Sequence, residues 1–108
     1  MTMSELTGGL RHLIEEQVDA FLKDPDAFSN LKNTLINMDI QPGLETTLSY
    51  ITGIITGTAI GMWMVIRKKE GKPKVTDQES DAFLKEVDEL LTRRATELRQ
   101  HFEKEEYM

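Results

Sequence analysis

The 108 residues carry 13 Lys+Arg against 19 Asp+Glu and hold one modest domain at most, too little chain for a multidomain enzyme. With no cysteine there is no disulfide framework, thiolate zinc site, c-type haem attachment or Cys nucleophile. A net charge of -6 argues against general nucleic-acid binding, which draws its affinity from Lys and Arg on phosphates. The mean hydropathy of -0.40 averages two unlike parts, because no Asp, Glu, Lys, Arg or His lies between Thr46 and Ile66.

The start of the chain, Met1 to Glu5, has neither the basic nor the apolar stretch of a secretory leader, and none is expected. Over residues 6–23, Leu10, Leu13, Ile14, Val18, Phe21 and Leu22 recur at intervals of three and four, with Glu15, Glu16, Asp19 and Lys23 mostly between them. That spacing predicts an amphipathic helix. Pro25 should stop it near Lys23, and Asp24-Pro25 is a good cap and first-turn pair for a second helix running to about Met38. Phe28, Leu31, Leu35 and Met38 give that second helix its own stripe, so the two can bury their apolar sides against each other, and being marginal alone they are expected to lean on a partner or on the membrane surface. Gln41-Pro42-Gly43 reads as a turn.

Residues 46–66 would form a helix about 31 Å long, which matches a bilayer core of about 30 Å. Of these 21 residues 12 are apolar, three are Gly and six are Ser or Thr. Tyr50 and Trp63 stand near the two ends, where amphipathic rings favour a membrane interface. The segment is therefore expected to cross a membrane. Within it Ser49, Gly53, Gly57 and Gly61 recur every four residues with Thr52 and Thr56 beside them. Small residues let two backbones approach closely in lipid, so this is the expected helix-packing face.

Residues 67–75 form a basic linker in which Gly71 and Pro73 break the helix, and Arg67, Lys68, Lys69, Lys72 and Lys74 crowd one end of the span. The excess of positive charge places the C-terminal side in the cytoplasm and the first 45 residues outside, and it can also attract anionic lipid. Thr76-Asp-Gln-Glu79 is a capping-box pattern, so a helix is expected from about Asp77 to Lys104. Phe83, Leu84, Val87, Leu91, Leu98 and Phe102 give it a stripe expected to dock on a partner. As a heptad it is imperfect, since Arg94 and His101 follow Val87 in the second seam position.

For chemistry the sequence offers little. His12 near Glu15, Glu16 and Asp19, and Glu97 four residues before His101, sketch metal-ligand spacings, but each is better read as a solvated helix face. No catalytic residue, cofactor, metal or small-molecule substrate is expected. The fold class expected is all-α: an N-terminal amphipathic helical pair (1–45), one transmembrane helix (46–66), the linker (67–75) and a C-terminal amphipathic helix (76–108), in a single-pass protein. Its expected role is non-enzymatic, an accessory or assembly subunit of a larger membrane complex that works by helix contact with lipid and other transmembrane helices around it. One alternative is a homo-oligomeric membrane scaffold or pore former. The other is a soluble helical interaction module with 46–66 as its core helix.

Overall fold

The computed structural model describes residues 8–106, and among them are four helices and no strand: α1 Gly8–Lys23, α2 Ala27–Asn37, α3 Leu44–Lys69 and α4 Asp77–Glu106. Residues 6–7 of the expected first helix and 107–108 of the C-terminal region lie outside the described residues. The all-α expectation holds, and α3 is long and apolar enough to cross a membrane by length and composition.

Local chemistry sets each boundary. The Asp24 carboxylate accepts the Asp26 N–H at 2.9 Å and so tightens the turn, but α2 starts two residues later than the Asp24-Pro25 pair suggested, at Ala27 with Asp26 in the cap position and no side-chain cap bond. The reversal after α2 starts earlier than the expected Gln41-Pro42-Gly43 turn. Asp39 sits at φ 60, with its N–H donating to the Ile36 carbonyl and the Ile40 N–H to that of Leu35, a left-handed helix stop usually given to Gly. Gly71, at φ 77, closes α3 in the same way, with its N–H on the Lys68 carbonyl and the Lys72 N–H on that of Arg67. Thr76 and Glu79 form the capping box: the Glu79 N–H donates to the Thr76 hydroxyl and the Thr76 N–H to the Glu79 carboxylate, both at 3.1 Å.

With five residues fewer than a dozen between them, α3 and α4 fold back antiparallel, so that Trp63 meets Phe83 near the turn and Glu45 meets Arg99 at the far end. The Trp63 and Phe83 rings stack with centroids 4.3 Å apart and planes 2° from parallel, burying the only tryptophan. α1 and α2 lie across this hairpin and lay their stripes on α3 and α4. The support expected from a partner or a membrane surface is thus supplied within the chain: each helix is short, and the hairpin offers both a longer apolar surface. Leu10, Ile14 and Val18 of α1, Phe28 of α2, Ile51 and Ile55 of α3 and Phe83 to Phe102 of α4 close one core.

Charge reinforces the packing. Arg94, the polar intruder in the heptad of α4, reaches across to α1, pairing with Glu15 and with Asp19 at 2.7 Å, and also holds Glu97 on its own helix at 2.9 Å. An Arg at a core-facing position is thus explained by two acids presented one turn apart on α1.

The open face of α3 as the candidate functional site

Helix α3 shows two opposite ridges, each stepping by four residues. Thr47, Ile51, Ile55, Ala59, Trp63 and Arg67 form the covered ridge, all buried against the chain's own helices. Glu45, Ser49, Gly53, Gly57, Gly61, Val65 and Lys69 form the other, and every member is exposed. Around it Ile54, Ile60, Met62, Met64 and Val65 keep between 37% and 47% of their surface in the open. Water-facing helix surfaces are normally polar, and this apolar stretch from Ile54 to Val65 is the exception on α3.

Of the small residues expected to pack a second helix, Ser49, Gly53, Gly57 and Gly61 lie exposed on this face, while Thr52 and Thr56 are half-buried on its α4 side. A Cβ placed on Gly53, Gly57 or Gly61 would have no atom within 4 Å. Between this ridge and α4 runs a groove of about 630 Å³ with Ser49, Thr52, Thr56 and Ile60 on one wall and Asp88 and Ala95 on the other. The hydroxyls of Thr52 and Thr58 donate to the Ser49 and Ile54 carbonyls, both at 3.0 Å, so they are turned back onto the helix. The surface can bury a helix.

Two other groups of residues are placed differently from their expected use. The α4 stripe is consumed within the chain: Phe83, Val87, Leu91, Leu98 and Phe102 are buried on α1, α2 and α3, and Leu84 is half-buried. A partner cannot dock on it while the bundle is closed, because α3 supplies the apolar surface that the sequence assigned to another protein. Of the basic run, Lys68, Lys69, Lys72 and Lys74 are exposed, whereas Arg67 is buried. Its guanidinium donates to the carbonyls of Lys72 and Lys74 at 3.1 and 3.0 Å, pairs with Glu79 at 2.5 Å and lies over the Trp63 ring. Arg67 ties the loop to the capping box and is not a headgroup contact in this arrangement.

The electrostatics follow these pairs. Asp19 is held below its usual 3.8 chiefly by the Arg94 hydrogen bond, and Glu45 below its usual 4.5 by Arg99. Glu79 is lowered first by the Thr76 backbone N–H and then by Arg67. Arg94 is raised by its carboxylates, Asp19 foremost. The two metal-ligand spacings come apart: His12 meets Glu16 at 2.8 Å on the surface, Glu97 turns to Arg94, and His101 is half-buried edge-on to Phe102 at 5.3 Å and not on the solvated face expected of it. Among the described residues no three His, Asp or Glu side chains converge as a cation site.

Sequence reasoning located the Gly ridge but not the open apolar residues beside it, Ile54, Ile60, Met62 and Met64, whose exposure depends on which side of α3 the other helices choose. Comparison with protein families, with characterised proteins and with solved structures finds no match.

Proposed function

We propose that this chain is a non-enzymatic helix-contact protein, an assembly element that offers the open face of α3 to another apolar helix. The observation that carries this is the contrast between two ridges of one helix: Ile51, Ile55 and Trp63 are covered by the chain's own helices, whereas Gly53, Gly57 and Gly61 lie open beside the exposed Ile54 and Ile60. The bundle supplies the scaffold. Its three amphipathic helices hold α3 along one side and leave the Gly53, Gly57 and Gly61 ridge free for a partner backbone.

The length and hydropathy of α3 favour a second state, in which α3 spans a membrane with the first 45 residues outside and α4 in the cytoplasm. That state and the closed bundle exclude each other. The Arg94 pairs join α1 to α4, and α4 runs antiparallel along α3, so its charges would lie at membrane depth, each costing about 2.5–3.5 kcal/mol at the bilayer centre. Spanning would require the Arg67 tie and the Arg94 pairs to open. Extraction of membranes with alkaline carbonate separates the two: the closed bundle leaves with the wash, whereas the spanning form stays.

The helix-contact function is tested with Gly57→Ile. Because the space above Gly57 is open, the monomer should keep its helix content and its denaturation midpoint. Its native mass in mild detergent should fall relative to that of the unmodified chain. An unchanged native mass would contradict a packing role for this face.

A further inference from the structure

We propose that the open face of α3 is covered by the same face of a second copy, running antiparallel with a two-fold axis at Gly57; this rests on the helix-contact function above and names its partner. Gly57 is the midpoint of the open ridge. Counting outward from it sets Gly53 level with Gly61 of the second copy, and the ends of the ridge, Glu45 and Lys69, level with each other along the axis.

Three observations converge on this pairing. At the crossing the backbones meet through Gly57 and its neighbours Gly53 and Gly61, where no atom of the chain stands within 4 Å of a Cβ position. Two helices can then approach without moving a side chain. Beside the crossing, knobs meet holes. At 1.5 Å per residue, Ile60 of one copy lies level with the gap between Thr52 and Thr56 of the second copy, on the side where the groove beside α4 is open. On the opposite side Ile54 lies level with the gap between Thr58 and Gly61 of the second copy. The exposed isoleucines thus enter gaps left by small residues, and both copies make the same contacts, as a two-fold interface requires.

Charge decides the direction. The N-terminal approach to α3 carries Asp39 and Glu45, the latter also holding Arg99, while its C-terminal end carries Lys68 and Lys69. An antiparallel pair sets the acidic end of one helix beside the basic end of the other and opposes the two helix dipoles. A parallel pair would stack the lysines on each other.

The chain has no cysteine, so single introduced thiols report the pairing directly. Full-length Gly53→Cys, Gly57→Cys and Gly61→Cys proteins are prepared in mild detergent, checked for wild-type helix content, oxidised and run on non-reducing gels. The antiparallel pair predicts that Gly57→Cys links to itself. Gly53→Cys and Gly61→Cys should fail to link alone, their sulfurs being held about 12 Å apart along the axis, and should link when the two variants are co-expressed. The unmodified chain should show the mass of two copies by light scattering. Self-linking of all three variants would mean a parallel pair and would overturn the proposal. Absence of cross-links together with a mass that includes a different protein would also overturn it while leaving the helix-contact function standing. A single-chain mass would overturn both.

Discussion

The two ridges of α3 are built from the same helix and teach opposite uses of size. The covered ridge is filled by Ile51, Ile55 and Trp63, whose bulk closes the core against α1 and α4. On the open ridge Gly53, Gly57 and Gly61 leave nothing for the chain's own side chains to grip. In water, folding rewards the ridge that removes more apolar area, at roughly 25 cal/mol per Å², so the large residues win the intramolecular contact. Small residues contribute little there. They become useful where a backbone has to come close.

The sharpest way to break this contrast is to place one charge on each side. Ile55→Asp buries an unpaired carboxylate in the core and should cost about 4–5 kcal/mol in chemical denaturation of the dilute chain. Thr58→Asp, on the open side, should change the same measurement by no more than about 0.5 kcal/mol. Equal losses at the two positions would mean that both faces are covered. Next comes the tie at the turn. Arg67→Met keeps the stem over Trp63 but removes the bonds to Lys72, Lys74 and Glu79, and should destabilise by about 2 kcal/mol. Thr47→Val should act in the other direction. The Thr47 hydroxyl is fully buried and meets no hydrogen-bond partner among the described residues, so an apolar group of the same shape should stabilise by about 1 kcal/mol.

The smallest effect is acid sensitivity. Asp19, Glu45 and Glu79 titrate lower in the folded chain than their usual 3.8 to 4.5. Their pairs therefore contribute fully above that range and are lost as pH falls through the lowered folded-state values. The denaturation midpoint should be flat from neutral pH to about 5 and then decline. Glu45→Gln should shallow the decline.

Much of this was legible from residue spacing. The amphipathic stripes of α1, α2 and α4 were read from the three-and-four periodicity of Leu10 to Leu22, Phe28 to Leu35 and Phe83 to Phe102, and the capping box from four letters. Less visible was which stripe meets which. A residue pattern states that Leu98 and Phe102 must be buried, not whether a partner or the same chain does it. The pairing of Arg94 with Glu15 and Asp19 spans more than seventy residues, and with the shared apolar core it places α1 and α4 against each other on α3. The segment 46–66 was equally two-valued. A helix free of charge suits lipid, and it suits a bundle whose other helices carry the charge. The absence of ionisable groups cannot separate the two.

Trp63 reports most directly on the central claim that α3 rests on its own chain by one face. As the only tryptophan, stacked on Phe83 and almost fully buried, it gives an unambiguous fluorescence signal. With the protein bound to vesicles containing brominated lipid, the closed bundle predicts a blue-shifted emission that the lipid does not quench, because α4 covers the ring. Strong quenching by the brominated chains would show Trp63 facing lipid, and α3 would then be a helix that has left its bundle.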